Sequence, residues 1–442
     1  MNDISSRVRA AGVVGAGGAG FPTHVKLAAK AEIVLLNGAE CEPLLKTDQQ
    51  LAALYPQLVV AGLREAMAAT GATRGIIALK AKYKEAIAAL QSHLTPPMEI
   101  AVLPDIYPAG DEVMAIWFAT GRRVPPGGIP LNIGVVVHNI QSAINIAKAV
   151  AAGEPVVTRT LTITGAVRTP LSVTVPLGTK MRELLELAGG GTSGDLAFIE
   201  GGPVMGTLLD DLDQPVTKTT GGLIALPAEH SLIRSKQNSL EACLRTAKTV
   251  CEQCSLCTEL CPRHLIGHPL APHLLVRAVN YNCIGDPAML TTALTCSECG
   301  VCEVYACPVG ISPRRVNVAL KAALRAKGVK YQGTLRNDDP LAEYRLVPSS
   351  RLVDRLGLRE WYREAPLSSR VHEPAEVVLK LRQHVGAPAE PIVHPGDQVS
   401  QGQLVAEIPE GALGARIHAS IAGTVAAVTP QTITIRKSGA AS

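Results

Sequence analysis

The sequence predicts a multidomain chain that combines α/β and α+β units, and three observations carry that expectation. In the first 150 residues short apolar runs end repeatedly in polar groups, the pattern of strands in an open α/β sheet. Ala31 to Leu36 leads into Asn37, Glu40 and Glu42, Ile100 to Leu103 into Tyr107, Gly110, Asp111 and Glu112, and Asn132 to Val137 into His138 and Asn139. From Thr158 to Gly165 the apolar period changes to two, and it repeats from Leu171 to Val175 beyond Thr169-Pro170, which reads as a hairpin. Eight of the eleven cysteines then fall into two short runs between 251 and 307. A chain of 442 residues accommodates about three or four such domains.

The first unit opens on a glycine-rich stretch in which Gly15, Gly17 and Gly20 satisfy G-x-G-x-x-G, with Gly18 between them and Lys26 beyond. A dinucleotide fingerprint follows a full strand, and only Arg9 to Val14 is available here. The glycines permit close backbone approach to a phosphate or a flat ring, and Lys26 adds positive charge; the alternative is a turn that only packs tightly. Asn37, Glu40 and Glu42 at a strand end beside this loop suit hydrogen bonds to hydroxyls and ring edges. Residues 141 to 152 form an Ala-rich helix that closes the unit.

The hairpin, a helix from Lys180 to Leu187 and a strand at Phe198 ending in Gly201-Gly202 make a small β-grasp unit, for which a structural role outweighs a second ligand site. In the cysteine runs, Cys251, Cys254, Cys257 and Cys261-Pro262 are followed by Cys296, Cys299, Cys302 and Cys307-Pro308. A C-x2-C-x2-C turn lets three thiolates converge on one iron–sulfur cubane, and in two-cluster ferredoxins the Cys before Pro serves the other cluster. The pattern therefore assigns Cys251, Cys254, Cys257 and Cys307 to one [4Fe–4S] cluster and Cys296, Cys299, Cys302 and Cys261 to another. Zinc sites or a disulfide framework are the rival readings, but zinc motifs seldom use this triple spacing twice with a terminal Cys-Pro. The second run has four residues between its third and fourth cysteines, one more than the first. Helices are expected from Asn238 to Lys248 and from Ser312 to Lys327, and residues 331–385 read as a linker with a helix from Ala375 to Gln383.

Composition excludes several classes. A net charge of +4 spread over both signs, with 3% aromatic residues, gives no nucleic-acid footprint. Apolar runs fall far short of the roughly 20 residues a membrane helix needs, so no transmembrane segment is expected. The start Met1-Asn2-Asp3-Ile4 has no export features, and the cysteine usage suits a reducing, cytoplasmic compartment. Cys41, Cys243 and Cys283 are left without an assigned role; for Cys41 a small buried residue is the preferred reading.

The motifs carry a resemblance. Gly-Ala-Gly-Gly-Ala-Gly-Phe-Pro-Thr from Gly15, then Asn37 to Pro43, Tyr107 to Glu112 and His138-Asn139, resemble the FMN- and NADH-binding subunit of respiratory complex I and, more closely, the C subunit of the Rnf complex. The resemblance implies that Gly15, Gly17, Gly18, Gly20 and Lys26 hold the FMN phosphate and backbone. It places Asn37, Glu40, Glu42, Tyr107, Gly110, Asp111 and Asn139 around the ribityl chain and ring, with Phe21 and the catalytic carboxylate Glu112 toward NADH. The last fifty residues, with Gly396-Asp397, Gly402, His418 and Gly423, resemble a lipoyl-type barrel-sandwich hybrid, yet no lysine lies between Lys380 and Lys437 to carry an arm. In the Rnf protein that module comes first; its position at the end resembles the cobalamin reductases of propanediol-utilization microcompartments. The expected architecture is thus a Rossmann-like FMN/NADH domain at 1–152, a soluble-ligand-binding β-grasp domain at 155–230, a helical two-[4Fe–4S] ferredoxin-like domain at 236–330, the linker, and a barrel-sandwich hybrid at 386–437. The implied function takes electrons from NADH through FMN and two clusters to cobalamin, with an adenosyltransferase and microcompartment shell or lumen proteins as partners. The alternative is an Rnf-like NADH dehydrogenase subunit that delivers to ferredoxin or a membrane partner.

Overall fold

The computed structural model describes residues 3–282 and 286–438; Cys283 lies outside them. Four parallel strands form the first sheet, in the spatial order Met98–Leu103, Arg74–Lys80, Ile33–Asn37, Val135–Asn139. The inner strands are uninterrupted apolar runs because both faces are covered. Val34 and Leu36 pack toward the helices Pro56–Thr70 and Ile140–Ala152, while Ile33 and Leu35 pack toward Glu112–Thr120. The two helices on the first face approach so closely at Gly62 that a Cβ there would lie 2.0 Å from the Ala143 carbonyl oxygen. Asn37 stands opposite Asn139 in register, so the polar ends of neighbouring strands share one edge of the sheet.

The glycine loop departs from the expected strand. Residues Asp3–Ala10 are helical, burying Ser5 and Val8, and Gly12 ends the turn at φ +65°. Val14 only bridges to Pro22, and Gly15 N–H donates to the Phe21 carbonyl to close the loop. The loop therefore lies beside the parallel sheet instead of growing out of one of its strands.

A five-stranded mixed sheet follows, with Thr158–Gly165 and Gly222–Pro227 parallel at its centre and the helix Met181–Leu187 contributing Met181 and Leu184 to its core. The cysteine-bearing unit is built on Leu240–Val250, capped by Ser239, and on Pro272–Tyr281 and Pro313–Ala326, each with proline in its first turn. Among the described residues no helix is long and apolar enough to cross a membrane.

The stretch expected as a linker is tied down, and its expected helix is a strand. Glu376–Lys380 pairs with Thr432–Arg436, burying Val377 and Leu379 while the alternate residues face outward. The alternation decides the outcome: a helix would scatter Val377 and Leu379 around its axis, whereas a strand aims both at the core. Upstream, Val347-Pro348 pairs with Ile106-Tyr107, and Arg336 N–H donates to the Gly267 carbonyl, so this segment straps the first unit to the cysteine unit. The chain ends in two small facing sheets, of four and three strands.

Three units meet around Lys218, whose Nζ is buried and donates to the carbonyls of Gly12 and Arg416, both at 2.7 Å. Burial pushes Lys218 down to about 7, His384 down to about 4 and His418 down to about 3, with the Lys218 charge pressing on both imidazoles. Arg382 adds to the effect at His384 and Arg416 at His418, where Glu407 opposes it. A folded-state imidazole pKa below the usual 6.5 contributes stability that is present above 6.5 and lost as pH falls toward the folded value, about 2 kcal/mol for each imidazole at pH 5. The buried Glu40, pushed up to about 8 by burial and the Asp48 charge, acts with the opposite sign, losing stability as pH rises from 4.5. The histidines are separable by comparison: the His384→Gln/His418→Gln protein is expected to lose less stability than the unsubstituted protein between pH 7 and pH 5 in denaturant melts. Parallel curves would refute their part in acid lability.

A candidate flavin and iron–sulfur centre

At the shared sheet edge, Gly17 lies over Asn139, where a Cβ would come 3.6 Å from the asparagine Cβ. Gly17, Gly18 and Ala19 form an exposed tip, and Gly18 at φ +108° occupies backbone space that side chains resist. Lys26 donates to the Val137 carbonyl at 2.9 Å and pairs with Glu112 at 3.4 Å. Both side chains are partly exposed, so the pair adds little stability and leaves both charges available to a ligand. Phe21 is half-buried beside the loop.

Several predicted residues shape the site from behind. The Asn37 amide donates to the Gly110 carbonyl at 2.8 Å, and its oxygen accepts from Ala39 N–H. Asn139 caps the following helix through Gln141 N–H and donates to Asp48 at 2.6 Å. The Glu40 carboxylate accepts from Thr47 and Asp48 N–H at 2.9 and 3.0 Å, at the start of the helix Thr47–Leu54. Beside them are buried polar atoms without partners: His138 Nε2, Gln141 Oε1 and Arg159 Nη1. Arg159, whose Nη2 donates to Ala16 in the glycine loop, escaped the sequence reading although a charge inside an alternating apolar strand was a visible signal. A glycine loop, a partly exposed lysine and unspent buried polar atoms can hold a phosphate-bearing cofactor such as FMN.

The cysteines gather in two pockets. One is walled by Cys251, Cys254, Cys257 and Cys307, the other by Cys261, Cys296, Cys299 and Cys302. Each Cys-Pro thus reaches the pocket of the opposite run. Corresponding spacer positions are left-handed in both runs, Gln253 and Ser255 at φ 54° and 62° and Glu298 and Gly300 at φ 63° and 79°. Such turns fold backbone N–H groups toward sulfur, as Glu298 N–H does toward Cys296 Sγ at 3.4 Å. The extra residue of the second run is absorbed in a π-helical turn over Cys302–Ala306, where the first run has an α-turn over Leu256–Glu259. Burial and crowding by neighbouring thiolates push Cys257 and Cys299 up to about 12, and Cys261 and Cys302 upward as well. Four such sulfurs are tolerable as thiolates only around cations.

The two halves are stitched together. Tyr107 Oη donates to the Cys299 carbonyl at 2.6 Å and lies 3.3 Å from Glu42. Glu42 accepts from Val204 and Met205 N–H at 2.8 and 2.9 Å, which fastens the glycine turn of the second unit. Asp111 caps its helix and pairs with the buried Arg263 at 3.0 Å. Tyr107, Glu42 and Asp111 therefore spend polar atoms on joining units, contacts that sequence reasoning did not foresee.

Comparison with known proteins follows the same division. Residues 8–148 match the Nuo51 FMN-binding domain, 160–208 the SLBB domain, 250–312 the 4Fe–4S dicluster domain and 362–441 the RnfC barrel sandwich hybrid domain. These modules define a flavin and iron–sulfur electron-transfer oxidoreductase. The chain is 56% identical to cobalamin reductase PduS of Citrobacter freundii, over 98% of this chain and 96% of that protein. It is 57% identical to cobalamin reductase PduS of Salmonella typhimurium, with the same coverage. It belongs to the PduS cobalamin reductase family. The C subunit of the Na+-translocating ferredoxin:NAD+ oxidoreductase complex of Acetobacterium woodii is 38% identical over 59% of this chain and 58% of that protein.

Proposed function

We infer that this protein is an NADH-dependent cobalamin reductase, and the observation that carries the reading is the relationship to PduS over nearly the whole length. FMN, when bound, accepts a two-electron hydride and releases electrons singly, the form iron–sulfur clusters take. The chain's own residues would bind and orient: Gly15, Gly17, Gly18, Gly20 and Lys26 around the phosphate, Phe21 and Glu112 toward the nicotinamide nucleotide. The eight cysteines would hold the two clusters in the grouping their pockets suggest. A place in a propanediol-utilization microcompartment beside an adenosyltransferase extends this reading, and co-purification with the compartment fraction checks it.

The test is anaerobic. NADH and hydroxocobalamin are supplied and cob(I)alamin is trapped with an alkylating agent; trapped product well above that produced by free FMN is expected. Product no greater than with free FMN defeats the reading and brings forward the Rnf-like alternative, tested with ferredoxin as acceptor. Lys26→Ala is expected to weaken FMN binding by one to two decades, the equivalent of a hydrogen bond to a charged group, roughly 1.5 to 3 kcal/mol. Fluorescence titration of the apoprotein reads this out, and unchanged affinity would place the phosphate elsewhere.

A further inference from the structure

We propose that the two cysteine quartets are polarised: Cys261, Cys296, Cys299 and Cys302 form the quartet that faces the flavin unit and receives its electrons, and Cys251, Cys254, Cys257 and Cys307 form the surface quartet that passes them on. The proposal rests on the NADH-to-cobalamin reading above and adds the direction of travel within the chain.

The contacts are unequal. Among the described residues, side-chain hydrogen bonds between the first unit and the cysteine unit fall on the second quartet and on the chain just after Cys261. Tyr107 Oη reaches the carbonyl of the ligand residue Cys299, Asp111 pairs with Arg263, and His268 Nε2 lies 2.9 Å from the Val124 carbonyl. Arg263 is 9% exposed, lines the second pocket, and keeps Nε and Nη1 without partners. Asn317, also in that wall and fully buried, holds Nδ2 3.6 Å from Cys296 Sγ. The second pocket thus offers buried N–H groups to an anionic occupant, and one of those donors is the residue that fastens the pocket to the flavin unit.

The first pocket also carries donors, Gln253 Nε2 to Cys251 Sγ at 3.1 Å and Ile311 N–H to Cys307 Sγ at 3.2 Å, and differs in its exposure. Cys254 is exposed, and Val250 and Val309 stand on the same wall 37% and 41% exposed, giving an apolar rim around an accessible thiol. A bulky acceptor can approach that rim, while Cys261, Cys299 and Cys302 of the second quartet are buried and Cys296 is part-buried. Each NADH supplies two electrons, which leave one at a time; each lowers the corrinoid cobalt by one oxidation state, and the proton of the hydride goes to solvent.

The experiment uses the full chain with both clusters reconstituted. In Cys299→Ala, NADH is expected to reduce flavin while bleaching of the remaining cluster slows at least tenfold, although dithionite still reduces it. In Cys254→Ala, NADH still bleaches the remaining cluster, while trapped cob(I)alamin falls at least tenfold. Iron near four per chain in each variant shows that the other cluster assembled. A second measurement needs no variant: brief chelation followed by iodoacetamide and mass spectrometry should label Cys254 first, with Cys251 and Cys257 ahead of the buried Cys261, Cys299 and Cys302. The reversed bleaching pattern, equal bleaching rates in the two variants, or first labelling of the second quartet would overturn the proposal. If NADH bleaches no cluster in the unsubstituted protein, the parent electron-transfer reading fails instead.

Discussion

Cys261→Ala is expected to remove the cluster of the other run, lowering iron from about eight to about four per chain and cutting NADH-dependent cobalamin reduction at least a hundredfold. Cys261 precedes Pro262, which starts the short helix Pro262–Leu265 and turns the chain away from its own run. Its thiol lines the pocket shared with Cys296, Cys299 and Cys302, and the thiolates of Cys299 and Cys296 are the sulfurs that press on it. Losing a ligand from this buried site leaves three crowded thiolates and an iron open to solvent, so the cluster should not persist. The check is electron paramagnetic resonance of the dithionite-reduced protein: the signal that disappears should be the one missing from Cys296→Ala. If it is the one missing from Cys251→Ala, each run holds its own cluster and the crossover is wrong.

The parts of this site that could be read from sequence are those set by local spacing. Cys-x2-Cys-x2-Cys places three sulfurs on one turn whatever the rest of the chain does, and Gly17 and Gly18 announce a loop tip by composition alone. What sequence hid is long-range. Tyr107 and Cys299 are 192 residues apart, and Asp111 and Arg263 are 152 apart. No periodicity reports such pairings, so both residues of the first unit read as ligand contacts when part of their polar capacity is spent between units. Glu376–Lys380 was different, since its alternation was visible but short, and pairing with Thr432–Arg436 settled what five residues could not. The glycine loop carried the spacing of a dinucleotide fingerprint without its strand, because Arg9 and Ala10 close a helix, Gly12 turns the chain at φ +65° and Val14 makes an isolated bridge to Pro22.

Glu42→Ala is expected to destabilise the protein by roughly 1 to 3 kcal/mol, the cost of leaving the buried Val204 N–H without its acceptor, whereas Met205 is exposed and Tyr107 keeps the Cys299 carbonyl. The carboxylate accepts from Val204 and Met205 in the second unit and approaches Tyr107, which in turn holds the Cys299 carbonyl. Burial raises its pKa, while the two backbone N–H groups, Lys236 and Tyr107 draw it back down. Three units therefore converge on one side chain, and its loss should be felt in all of them. Glu42→Gln is the sharper probe: one oxygen still accepts, but the amide N–H2 must face a backbone N–H, so about half of the loss should remain. Calorimetry reads the stability, and limited proteolysis near Gly201 to Gly206 reads the local release of the turn. The resemblance to flavin subunits places Glu42 on the cofactor, and that role predicts something else, a fall in FMN affinity with stability of the flavin-free protein unchanged. Destabilisation of the flavin-free protein, with cleavage at the turn, would identify Glu42 as the post on which the flavin unit, the second unit and the cysteine unit are aligned for electron transfer.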